Sequence, residues 1–164
     1  MFKSMKENLT SVCLSLIVAL SVSGNTLAAH HGAHVPDSQS ETMAMIVEHV
    51  TNFVEVANRG DIAEIAELYT EDAIQSQTNM EKPLYGRAAI KADMEKNADA
   101  TVASDTLSAE VFTAQDLGNG YITANGSWEV RNEEGAKVRK GLWNNVFRVI
   151  DGETLLFRES TSNN

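Results

Sequence analysis

The chain has 164 residues, 43% of them hydrophobic and 22% charged. That composition fits one domain behind a targeting segment and excludes collagen-like, disordered and disulfide-rich classes. Its formal charge of −10 repels phosphate backbones and anionic lipid heads, so nucleic acid is not an expected partner.

Residues 1–29 read as a secretory signal. Lys3 and Lys6 form a basic start, and Leu9 to Val22 is an apolar run broken by Thr and Ser. Thr26-Leu27-Ala28-Ala29 supplies small residues suited to signal peptidase. The expected destination is therefore outside the cytoplasm, periplasmic or secreted, with no membrane segment left after cleavage. The single cysteine, Cys13, lies inside the signal. A disulfide scaffold and a thiol nucleophile are thus excluded from the mature protein. The signal also carries Lys3, Lys6 and Glu7, so its removal makes the remainder one unit more negative. A chain of roughly 135 residues buries about two thirds of its unfolded surface, enough for its own core.

Residues 30–39 are polar and aperiodic and read as a disordered arm. His30, His31 and His34 stand in it. Cleavage after Ala28 would start the mature chain at Ala29-His30-His31. His31, the free amine and two intervening amides would then make a four-nitrogen square suited to Cu(II) or Ni(II). Cleavage after Ala29 removes that motif. No cofactor is expected in the domain itself, which spans 40–164.

Met43, Ile46, Val47, Val50, Phe53, Val54 and Ala57 recur at helical spacing, with Ser38 or Ser40 as a cap and Gly60 as a stop. A second helix begins at Asp61, which has capping-box spacing to Glu64. Ile62, Ile65, Leu68 and Tyr69 form its apolar side. Ala73 to Gln77 reads as a short strand, and Thr78 to Tyr85 as a loop. A third helix spans about Arg87 to Asn97. From Thr106 the period becomes two, which predicts strands near 107–115, 120–131, 137–149 and 154–161. Gly118-Asn119-Gly120, Asn132-Glu133-Glu134-Gly135 and Asp151-Gly152 are the turn signals between them. Helices followed by a strand meander give an α+β class with helices on one face of an antiparallel sheet.

Three motifs occur in order: Ala57-Asn58-Arg59-Gly60-Asp61, Leu68-Tyr69-Thr70-Glu71-Asp72-Ala73 and Tyr85-Gly86-Arg87-Ala88-Ala89-Ile90. A late strand with Trp143 and an Asp151-Gly152 hairpin follow. This pattern resembles the nuclear transport factor 2-like superfamily, specifically its SnoaL-like and kinase-association-domain-like members, over about residues 41–161. The resemblance implies a cone: a bent antiparallel sheet wrapped around three N-terminal helices, with a pocket at the open end. It also implies a homodimer through the outer sheet face. Family members include a ketosteroid isomerase, polyketide cyclases, dehydratases and non-catalytic binding or assembly domains.

The resemblance also supplies a test. Isomerase-like members place an Asp base four positions after the Ala of Glu-Asp-Ala, and here that position is Gln77. They place a Tyr on the first helix eight positions before the Asp of Gly-Asp, and here that is Phe53. An amide cannot take a proton from carbon, and Phe offers no donor to an oxyanion. The isomerase set is therefore absent at the matching positions.

Strand alternation puts Ile122, Ala124, Gly126, Trp128 and Val130 on one face, Trp143, Asn145, Phe147 and Val149 on the next, and Leu156, Arg158 and Ser160 on the last. The expected pocket lining is Tyr69, Gln75, Gln77, Trp128, Trp143, Asn145 and Arg158. Arg158 could clamp a carboxylate there. His49, the one histidine inside the domain, is expected to be half-exposed on the first helix. The leading reading is an exported protein that holds a small, partly apolar organic ligand. The enzyme alternative is a lyase, isomerase or cyclase using a shifted set of Asp72, Tyr69 and Arg158. The third is an assembly module that recruits a protein partner through its outer sheet face.

Overall fold

The computed structural model describes residues 37–78, 80–98 and 104–163. The signal, most of the arm and His31 lie outside these residues. Helix α1 runs Asp37–Arg59, α2 Ile62–Glu67 and α3 Arg87–Asn97. Strands follow as β1 Tyr69–Gln77, β2 Leu84–Tyr85, β3 Thr106–Gly118, β4 Tyr121–Arg131, β5 Lys137–Ile150 and β6 Glu153–Asn163. They form one six-stranded sheet in the order β2-β1-β6-β5-β4-β3. The fold is the expected α+β arrangement, a curled open sheet with helices against it. No described helix is long and apolar enough to cross a membrane.

Besides the short β2, which Leu84–Tyr85 forms inside the expected Thr78–Tyr85 loop, three local features differ from the sequence reading. Helix α1 starts earlier, so Ser40 lies within its first turn rather than before it. Helix α2 stops at Glu67, and Tyr69 opens β1 instead of lying on the helix. Leu68 closes α2, its N–H shared between the carbonyls of Ile65 and Ala66. The chain then enters the sheet at once, because Leu156 N–H donates to the Leu68 carbonyl at 2.8 Å. The third difference is in the sheet: β1 pairs with β6 in parallel, while the other strand pairs are antiparallel.

Elsewhere the local chemistry acts as read. The Asp61 side chain accepts from Glu64 N–H at 2.9 Å and caps α2. Gly60 takes a φ of 71°, the left-handed conformation that ends α1. Asn58, on the last turn of α1, grips the start of β3 with both ends of its amide. Its Nδ2 donates to the Leu107 carbonyl at 2.9 Å, and its Oδ1 accepts from Leu107 N–H at 2.8 Å. That two-pronged tether fixes the helix across the mouth of the curled sheet.

The core joins Ile46 and Val56 of α1, Ile65 of α2 and Ile90 of α3 to Tyr69, Ala114, Ile122, Trp143, Phe147 and Leu156 of the sheet. Two cross-strand pairs build the concave wall. Gly126 on β4 stands opposite Trp143 on β5, and Trp128 on β4 stands opposite Gly141 on β5. Each indole spreads over the glycine facing it. A Cβ on Gly126 would lie 2.5 Å from the Trp143 ring, and one on Gly141 would lie 2.7 Å from Trp128 Nε1. Glycine is needed at both places for space rather than for dihedral freedom.

Candidate functional site

A cavity of about 260 Å³ lies between α1 and the concave face of the sheet. Helix α1 contributes His49, Val50, Phe53 and Val54. Strands contribute Gln77, Trp128, Trp143, Asn145, Phe147 and Glu159, among others. A second cavity of about 530 Å³ lies towards α2 and α3, lined by Tyr69, Gln75, Met94 and Asp93 among others. Phe53, Gln77 and Glu159 line both. The first volume sits just below the roughly 300–1,000 Å³ usual for small-molecule clefts.

Four of the seven expected lining residues, Gln77, Trp128, Trp143 and Asn145, border the first cavity. Tyr69 and Gln75 border the second, with Gln77 common to both. Gln75 is only 3% exposed, so it does not face water. Arg158 is not part of either wall: it is exposed. The reason is a β-bulge. Phe147 pairs with Leu156, but the preceding Val146 pairs with Arg158, so Phe157 is an extra residue on β6. One extra residue reverses every later side chain. Arg158 joins the outer face, and Glu159 turns inward. Phe157 packs on the outer face against Tyr121 and beneath the Arg148 guanidinium.

Asp72 is also remote from the cavities. It is largely exposed and pairs with Arg148 at 3.1 Å. The set Asp72, Tyr69 and Arg158 is therefore not brought together.

Glu159, which alternation alone assigned to the outside, is the centre of the site. It is 8% exposed, and its Oε2 accepts from Tyr69 Oη at 2.6 Å and from Gln75 Nε2 at 2.7 Å. Both donors converge on one oxygen, which leaves Oε1 uncommitted by them. Neither donor carries a positive charge. Burial pushes the Glu159 carboxyl above the ordinary carboxylate range, opposed by these two hydrogen bonds. Burial, with Glu159 beside it, also pushes the Tyr69 phenol well above its usual value.

Arg87 fixes Tyr69 from behind. Its Nε and Nη2 donate to the Tyr69 carbonyl at 2.8 and 2.5 Å, and its Nη1 pairs with Glu67 at 2.6 Å and Glu71 at 3.0 Å. The Tyr-Gly-Arg motif at the start of α3 thus holds the strand that carries Tyr69.

His49 is buried, 7% exposed, not half-exposed as expected. It follows Ile46 by three positions and precedes Phe53 by four, so it shares their inward stripe. Its Nδ1 lies 2.8 Å from the Thr154 carbonyl. A carbonyl only accepts, so Nδ1 carries the proton and Nε2 presents a lone pair. That Nε2 is buried and has no partner among the described residues. Burial holds the imidazole below its ordinary 6.5, partly offset by the Thr154 bond. The ring stands edge-on to Phe147 at 5.0 Å. Trp143 Nε1 donates to the Ser127 carbonyl at 3.1 Å, whereas buried Trp128 Nε1 has no partner among the described residues. Among the described residues no group of three His, Cys, Asp or Glu side chains could hold a metal ion.

The sequence pattern places neither Glu159 nor His49 at the site. Nothing in Phe157-Arg158-Glu159 announces a bulge. The i, i+3 and i+7 spacing of Ile46, His49 and Phe53 could have revealed His49.

No curated protein matches the chain in sequence. Several solved structures share its fold. An NTF-2 like protein of unknown function from Shewanella oneidensis is 18% identical, with a TM-score of 0.63, over 73% of this chain and 98% of that one. An NTF2-like protein with a cystatin-like fold from Novosphingobium aromaticivorans is 20% identical, with a TM-score of 0.63, over 76% and 82%. A ketosteroid isomerase-like protein from Erwinia carotovora atroseptica is 15% identical, with a TM-score of 0.59, over 75% and 96%. The SnoaL-like domain family profile matches residues 50–154, well over half of the chain. The chain belongs to the SnoaL-like domain family, with the NTF2-like fold.

Proposed function

We propose that the protein binds a small, partly apolar organic molecule in the cavity between α1 and the sheet. The observation that carries this reading is the lining itself. Phe53, Trp128, Trp143 and Phe147 supply apolar rings, and a few polar groups, Gln77, Asn145, His49 and Glu159, converge among them. That mixture of apolar wall and sparse, placed polar atoms is what small-molecule sites require. The two positions that would carry isomerase chemistry both line the cavity, and Gln77 is no base for a carbon-bound proton while Phe53 has no donor for an oxyanion. A neutral probe tests the reading. Titration with 2-phenylethanol should change tryptophan emission saturably, and Trp143→Ala should weaken that binding while the fold survives. Unchanged affinity in Trp143→Ala would contradict the assignment.

Export and dimerisation belong to the same proposal. The signal-like residues 1–29 support release into the periplasm or medium, and amino-terminal sequencing of the exported protein reads the cleavage site. Exposed Phe112, Val138 and Leu142 alternate with the cavity-facing residues of β3 and β5, which supports a homodimer through the outer sheet face. Native mass spectrometry at micromolar concentration decides it: a monomer removes that part.

A further inference from the structure

The polar groups of the two cavities are unevenly matched. Glu159 is a buried carboxyl whose only hydrogen-bond partners among the described residues are a phenol and an amide. His49 adds a buried lone pair at Nε2 with no partner among the described residues. Asp93 of α3 adds a second carboxyl on the wall of the larger cavity. Among the described residues the one cationic side chain on either wall is Arg139, which is 58% exposed and lies 3.9 Å from Asp105. Its charge is thus solvated and shared at the rim. The interior thus holds one buried acid without a cationic partner among the described residues, beside the unpartnered Nε1 donor of Trp128.

A buried carboxylate becomes favourable only when a positive charge reaches it. Oε2 is already engaged by Tyr69 and Gln75, so such a charge would meet Oε1. The rings of Phe53, Trp128, Trp143 and Phe147 around it are suited to a cation as well as to apolar atoms, because aromatic faces are electronegative. The chain's charge of −10 also raises the local concentration of cations.

We infer that the ligand is an organic cation, a small amine on an aromatic or alicyclic body, with Glu159 as the counter-charge that meets its ammonium group. This rests on the small-molecule reading above and narrows it to one chemical class. Tyr69 and Gln75 are positioning residues: they hold Oε2 so that the other oxygen faces the ligand.

The test uses three probes of one shape and different charge at pH 7: 2-phenylethylamine, 2-phenylethanol and phenylacetate. Dissociation constants come from tryptophan emission. The wild type should bind the amine at least about tenfold more tightly than the alcohol, since charge-assisted hydrogen bonds are roughly twice as strong as neutral ones. Phenylacetate should bind most weakly. Glu159→Gln keeps the shape and an acceptor for Tyr69 and Gln75, so it should stay folded, and it should bind amine and alcohol alike. An alcohol that binds as tightly as the amine in the wild type would overturn the inference and leave the cavity reading standing. A preference for the amine that survives in Glu159→Gln would also overturn it. If none of the three probes binds, the cavity reading fails and the inference fails with it.

Discussion

Trp143 lies across β5 and β4 directly above Gly126, and the ring and the missing side chain are one unit of structure. The reciprocal pair, Trp128 above Gly141, repeats it one step along the ladder. Two large rings can face the cavity side by side only because the position opposite each is empty. A Cβ at Gly126 would also collide with the Glu110 carbonyl, and one at Gly141 with the Ser162 carbonyl. Gly126→Ala and Gly141→Ala should each destabilise the protein by about 1–3 kcal/mol, the range for overpacking a filled core. Chemical denaturation with tryptophan emission as the readout checks this. Midpoints equal to the wild type would show that the rings do not sit as described.

Arg87 carries a second prediction. Its guanidinium spans the Tyr69 carbonyl and Glu71 of β1 and Glu67 at the end of α2, with a side chain only 18% exposed. Lysine has one nitrogen and cannot reproduce that fork. Arg87→Ala should cost about 2 kcal/mol, as expected for hydrogen bonds to a charged group, and Arg87→Lys should recover less than half of it. Full recovery by lysine would mean that only the charge matters.

Asn58 gives a third. Its amide makes both backbone bonds of Leu107 at the edge of the cavity. Asn58→Asp keeps the acceptor and loses the donor. It should cost about 1 kcal/mol in unfolding free energy and raise amide exchange at the start of β3. Unaltered exchange there would show that the tether does not hold the strand.

The pH dependence of stability has a definite sign. Burial holds the folded Glu159 carboxyl above its ordinary 4.5, so the folded protein keeps a proton that the unfolded chain has released. Stability from this group is therefore present below about 4.5 and is lost as pH rises through the folded value. His49 runs the other way. Its folded imidazole is held below 6.5, so its contribution is present above 6.5 and is lost as pH falls towards the folded value. Glu159→Gln removes the first effect and keeps the second. Melting temperatures from about pH 4 to pH 8 should show the wild type losing stability relative to Glu159→Gln as pH rises. A pH-independent difference would contradict the burial of an unpaired carboxyl.

How far the sequence carries can be read from these residues. The presence of three helices, the Asp61 cap and the strand meander follow from period and turn chemistry, which are local. The inward faces of β4 and β5 follow from simple alternation, because those strands stay in register across Trp128, Trp143 and Asn145. On β6 the same rule fails after Leu156. One extra residue exchanges Arg158 for Glu159, and a wall expected to be cationic becomes acidic. A bulge is set by pairing with β5, and pairing is not encoded within β6 alone. Tyr69 was legible as a buried aromatic but not as a strand residue. The short turn of α2 ends where β6 offers a hydrogen bond, and that bond is long-range.

The proposed ligand site is the space between α1 and the sheet, and its two tryptophans, the only ones in the chain, can report on it. The decisive measurement is a proton–nitrogen correlation spectrum of the two indole N–H groups during titration with 2-phenylethanol. Both signals should shift saturably. The larger should belong to Trp128, whose N–H has no partner among the described residues, and the smaller to Trp143, whose N–H is held by Ser127. Indole signals that stay fixed while amides elsewhere report a bound probe would place the site outside the cavity and overturn its assignment.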